Sequence, residues 1–66
     1  MTVQTRIPNT VLAKARKIAR LNNETVLILW DDDYNVYQIL RESLFAGSGW
    51  YEDDVVATID SLGFFV

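Results

Sequence analysis

The sequence predicts a small α+β domain, an antiparallel sheet of three to four strands flanked by two helices and a short helical turn. Three observations predict it. Short runs of alternating or β-branched residues read as strands. One stretch with a period of 3.6 reads as a helix. Turn residues separate these runs closely enough to fit one domain over residues 1–66. The expected order is β-α-β-β-α, with an optional last strand.

Residues 2–7 alternate, with Val3, Thr5 and Ile7 on one side and Thr2, Gln4 and Arg6 on the other. That is the pattern of a half-buried strand. Pro8 stops it, since proline cannot donate to a ladder, and Asn9 or Thr10 offers a side-chain oxygen as helix N-cap. Across residues 11–21, Val11, Leu12, Ala15, Ile18 and Ala19 fall within about 120° of arc. Lys14, Arg16, Lys17 and Arg20 take the opposite side. Asn22 and Asn23 close the helix, because asparagine tolerates the left-handed conformation.

Residues 25–30 are apolar or β-branched throughout, and their number suits a central strand better than a helix. Asp31, Asp32, Asp33, Tyr34 and Asn35 are turn chemistry. Residues 36–40 then pair back as a hairpin. A rival reading makes residues 36–45 a helix capped by Asn35 and ended by Gly47, and a short helical turn over residues 42–46 suits both. Gly47, Ser48 and Gly49 form a flexible joint.

Beyond that joint Val55, Val56, Ile59 and Leu62 recur at helical spacing. Glu52, Asp53 and Asp54 stand where acids complement a helix dipole, and Gly63 with Phe64 matches a C-terminal cap. These signals together predict a second helix, although residues 55–59 would suit a strand on propensity alone. Residues 64–66 are the optional edge strand.

Half of the residues are apolar, and there is neither cysteine nor histidine. A chain of this length buries about 60% of the surface its unfolded form exposes. Its core is expected to supply roughly 3–5 kcal/mol, with no disulfide or zinc to add to it. Met1 to Ile7 lacks a positively charged, apolar signal region, and no apolar run approaches the roughly 20 residues of a membrane span. The expectation is a cytoplasmic protein without membrane contact, monomeric or homodimeric.

The net charge of −3 divides unevenly along the chain. Residues 1–23 hold five cations and no acid, whereas residues 24–66 hold nine acids and one cation, +5 against −8. Such asymmetry points toward charged partners.

Asp31, Asp33, Asn35 and Glu42 match four positions of a calcium loop, but Val36 stands where that loop requires glycine. The turn reading therefore prevails, and no metal or other cofactor is expected. Without His or Cys there is no triad, thiolate nucleophile or zinc-bound water, and the three glycines make no phosphate-binding pattern. The chain is read as non-enzymatic.

Two charged surfaces remain as candidates. Lys14, Arg16, Lys17 and Arg20 could contact phosphates, but no stacking aromatic lies among them, so direct nucleic-acid binding ranks below protein binding. Asp31, Asp32 and Asp33 with Glu52, Asp53 and Asp54 would form a one-sign patch if the fold joined them, with Glu42 and Asp60 nearby. Such a patch steers toward basic surfaces and can imitate phosphate spacing. Trp50 and Tyr51, beside the second acidic run, are the expected aromatic anchors.

A compact α+β chain without cysteine, acidic through Asp31, Asp32, Asp33, Glu52, Asp53 and Asp54, resembles the small inhibitors that phages encode, anti-CRISPR proteins among them. The resemblance is one of overall type. It implies a host nucleic-acid-handling complex as partner, the host cytoplasm as location, and acids that compete for the nucleic-acid site. The alternatives are a structural or regulatory subunit that self-associates and a nucleic-acid-binding module using the basic helix.

Overall fold

The computed structural model describes residues 7–66. Among them the elements run α1 (Asn9–Asn22), β1 (Val26–Asp31), β2 (Val36–Arg41) and β3 (Val55–Ile59), with 3-10 turns at Glu42–Leu44 and Glu52–Asp54. Both β2 and β3 pair antiparallel with β1, which lies in the middle of the sheet. The chain is thus a small α+β unit with one helix against a three-stranded sheet among the described residues. No helix among them is long and apolar enough to cross a membrane.

Helix α1 begins earlier than its side chains suggest. Neither Asn9 nor Thr10 caps it. Pro8 stands at the N-cap without a side-chain hydrogen bond, and its carbonyl accepts from the Val11 and Leu12 N–H groups at 3.0 and 3.1 Å. The other end follows the asparagine rule. Asn23 is left-handed (φ 51°, ψ 46°), its N–H donates to the Arg20 carbonyl, and the Glu24 N–H donates to the Ala19 carbonyl. That pair of bonds is a Schellman closure, which occupies carbonyls the helix end leaves open.

One face of the sheet packs on α1. Ala15 and Ala19 meet Val26, Ile28 and Ile59 in a fully buried cluster. Ile7, Tyr37, Ile39, Val56 and Ala57 pack around it. Because strand side chains alternate, Leu27 and Leu29 point to the opposite face, and they too are buried. Leu27 shares that side with Phe45, Ala46 and Val55. The connection from β2 to β3 therefore covers the second face.

The hairpin expected at residues 36–40 is present and the rival helix over residues 36–45 is not, since β2 pairs with β1 from Asp31↔Val36 to Val26↔Arg41. One expectation is corrected: the second helix is absent, because Val55–Ile59 is strand β3. The cause is a bulge. Ile28 faces Ala57 while Leu29 faces Val55, which leaves Val56 as the extra residue. Val56, Ala57 and Ile59 consequently all serve the helix-facing core, a spacing that imitates a helical stripe. Leu62, the last member of the supposed stripe, is 67% exposed.

The acids expected in the first turn of that helix form the 3-10 turn before β3. Gly63 is left-handed (φ 96°), but it closes the turn after β3, where Asp60 Oδ1 accepts from the Leu62 and Phe64 N–H groups at 3.0 and 2.9 Å. The last residues make one bridge, Ile59↔Phe65, and the Val66 N–H donates to the Thr58 carbonyl at 3.0 Å. They form no full strand. The strand expected over residues 2–7 falls, apart from Ile7, outside the described residues.

Polar links join α1 to the far end of β2. Glu24 lies 3.9 Å from Arg41 and accepts the Ser43 N–H at 3.1 Å, while Arg41 donates to the Asn22 side chain at 3.3 Å. The Ser43 N–H, then its hydroxyl and the Arg41 guanidinium hold the Glu24 carboxyl below its ordinary value, with desolvation opposing. A carboxyl lowered in the folded state adds stability above its unfolded value and loses it as pH falls through its folded value. Glu24→Gln is therefore expected to flatten the acid side of the melting-temperature profile and to matter least at the acid extreme. Thermal melts from about pH 7 to about pH 3 check this; an unchanged profile would remove Glu24 from the acid response.

Candidate functional site

A cleft of about 540 Å³ lies at the hairpin end of the sheet. Asp31, Asp32 and Asp33 line it from the hairpin, and Trp50, Tyr51 and Asp54 line it from the chain entering β3. Trp30 completes the wall. Antiparallel pairing places the two sets together. Leu29 of β1 pairs with Val55 of β3, so the residues that follow Leu29 and those that precede Val55 emerge at the same end of the sheet.

Each side of the cleft is built by local hydrogen bonds. Asp31 Oδ1 accepts from the Asp33 and Tyr34 N–H groups at 3.0 and 3.4 Å, and Asn35 takes φ 54° before β2 begins. These bonds fold the hairpin tip tightly and push Asp32 and Asp33 into solvent. Across the cleft, Ser48 Oγ donates to the Phe45 carbonyl at 2.6 Å and accepts the Trp50 N–H at 3.1 Å. The Tyr51 N–H donates to Asp54 Oδ2 at 3.0 Å, and the Asp54 N–H returns a bond to the Tyr51 carbonyl at 2.9 Å. The expected joint at Gly47, Ser48 and Gly49 is thus a hydrogen-bonded turn that fixes the backbone of Trp50, with both glycines left-handed (φ 82° and 90°).

The six candidate acids are therefore not equivalent. Asp31 and Asp54 brace the backbone on either side. Asp32, Asp33, Glu52 and Asp53 are exposed and make no side-chain hydrogen bond or ion pair among the described residues. Asp53 does not line the cleft, and Glu52 faces a neighbouring groove with Glu42, Phe45 and Val55. Asp60 is spent on the turn after β3. Trp50 is half-buried, whereas Tyr51 is 75% exposed.

Trp30, near the end of β1, was not among the expected site residues. It packs edge-on against Tyr37, with ring centroids 4.9 Å apart, and also borders the cleft. The signal for it was its position, directly before the acidic turn.

The basic helix face separates into two parts. At 100° per residue, Arg16 and Arg20 lie beyond one edge of the apolar stripe and Lys14 and Lys17 beyond the other. Arg16 Nε donates to the Gly63 carbonyl at 3.1 Å and its guanidinium sits 5.8 Å from the Phe65 ring centroid. Arg20 Nε donates to the Leu62 carbonyl at 3.2 Å. The arginines hold the C-terminal segment to the helix, which leaves Lys14 and Lys17 as its exposed cations without such a bond.

Glu42 lies beyond the far end of β2, a six-residue strand away from the hairpin tip, roughly 17–20 Å along the sheet. It cannot close the calcium loop that the spacing of Asp31, Asp33 and Asn35 imitates. Titration with calcium is expected to give no saturable amide shifts centred on Asp31 and Asp33; micromolar saturation there would overturn the turn-only assignment.

The chain matches no protein-family model, no curated protein and no solved structure.

Proposed function

We propose that this chain is a non-enzymatic binding protein that docks through the hairpin end of its sheet onto a basic, nucleic-acid-handling protein and inhibits or regulates it. One observation carries the reading. The whole first acidic run and Asp54 of the second, about twenty residues apart in sequence, line one cleft together with Trp50 and Tyr51. Charge of one sign around a concavity focuses the field and steers association with a basic partner. The aromatics supply the anchoring contact that charge alone lacks. The overall resemblance to phage-encoded inhibitors agrees with this class of partner.

The nucleic-acid reading through α1 is weaker, because Arg16 and Arg20 already donate to backbone carbonyls. Self-association keeps one supporting observation, the exposed apolar group Leu62, Phe64, Phe65 and Val66. A sedimentation mass that rises with concentration would favour it.

The test uses residues that carry charge without bracing the fold. Asp32→Asn, Asp33→Asn and Asp53→Asn combined should change stability by about 0.5 kcal/mol or less. Capture of partners from a host lysate should slow on the order of tenfold near physiological salt, chiefly in association. Equal capture rates for the triple variant and the wild type would refute the acidic-surface reading.

A further inference from the structure

The cleft is a groove with aromatic walls as well as an acidic rim. Trp30, Trp50 and Tyr51 line it, and these include both tryptophans of the chain. Asp31, Asp32, Asp33 and Asp54 line the same space, and none of the residues lining it is basic. Asp31 Oδ1 and Asp54 Oδ2 are bound to backbone N–H groups, whereas Asp32 and Asp33 are exposed with both carboxylate oxygens open to a donor from outside. Aromatic rings beside free carboxylates suit a guanidinium side chain. A guanidinium is planar, stacks on an indole, and donates two parallel N–H bonds to a carboxylate. An ammonium is a compact, strongly hydrated point charge that gains less from such walls.

Resting on the acidic-surface reading and deepening it, we propose that the groove is an arginine receptor. The occupant is an arginine side chain in a basic segment of the protein partner, stacked on Trp50 and Tyr51 and hydrogen-bonded to Asp32 or Asp33. Arginine recognition separates this occupant from a merely cationic surface, which any lysine-rich segment would satisfy.

Because both tryptophans line the groove, intrinsic fluorescence reads its occupancy directly. The intact protein is titrated with hexa-arginine and with hexa-lysine at physiological salt. Hexa-arginine is expected to give a saturable change and to bind more tightly than hexa-lysine, on the order of threefold to tenfold for a partly desolvated cation–π contact. Trp50→Leu should abolish that preference while keeping the weaker charge-driven binding of both peptides. Tyr51→Ser, at an exposed position that leaves folding intact, should reduce the preference and serves where Trp50→Leu does not fold. Asp32→Asn with Asp33→Asn should weaken both peptides. Equal binding of the two peptides would overturn arginine recognition yet leave the acidic-surface reading standing, provided the carboxylate variants still weaken both. A preference that survives both aromatic variants would overturn the groove as its source. No response to either peptide would overturn both readings.

Discussion

Ile28→Ala is expected to leave this domain mostly unfolded at room temperature. Ile28 is fully buried in the middle strand, paired with Ile39 on one side and Ala57 on the other, and it packs in the same cluster as Ala15 and Ala19. Truncating a buried isoleucine to alanine costs about 2–5 kcal/mol, because the surroundings only partly fill the space left. The whole stability of a chain this short is roughly 3–5 kcal/mol. The loss is comparable to the total. Ile28→Val removes a single methylene at a cost of about 0.5–1.5 kcal/mol, so it should still fold with a lowered midpoint. Urea unfolding followed by far-UV circular dichroism separates the two. A wild-type midpoint for Ile28→Ala would mean that β1 does not carry the core.

What the sequence made legible was the part of the fold that follows one period at a time. Val11, Leu12, Ala15, Ile18 and Ala19 mark the buried side of α1 by their spacing. The run ending at Trp30 marks a strand by its length, and the asparagines mark the helix end by their tolerance of positive φ. Strand β3 showed only in its propensity, because its bulge at Val56 breaks the alternation by which strands are recognised. The acids before it and Gly63 after it also supply the chemistry of helix ends in a place where they close turns instead.

The candidate site divides in the same way. Asp31, Asp32, Asp33, Trp50 and Tyr51 could be picked out by residue type. Their meeting around one cleft depends on the pairing of Leu29 with Val55, a contact between distant residues that no local pattern encodes. The bracing role of Asp54 and the docking of Arg16 and Arg20 on the C-terminal segment are long-range or backbone-mediated, and they were invisible for the same reason.

Ala19→Leu is expected to destabilise the domain by about 1–3 kcal/mol, the usual cost of forcing extra carbons into a packed core. Ala15 and Ala19 are fully buried one helical turn apart, and they stand against Val26, Ile28 and Ile59. Methyl groups at this line let the helix lie close on the sheet, so a leucine at Ala19 must displace the helix or take a strained rotamer. Helix propensity does not confuse the result, since leucine forms helices nearly as well as alanine. The control is Ala13→Leu, on the exposed side of the same helix, where a change within about 0.5 kcal/mol is expected. Thermal melts of both variants decide the matter. Equal losses at Ala13 and Ala19 would assign the effect to the helix alone, and no loss at Ala19 would mean that α1 stands further from the sheet than its alanines imply.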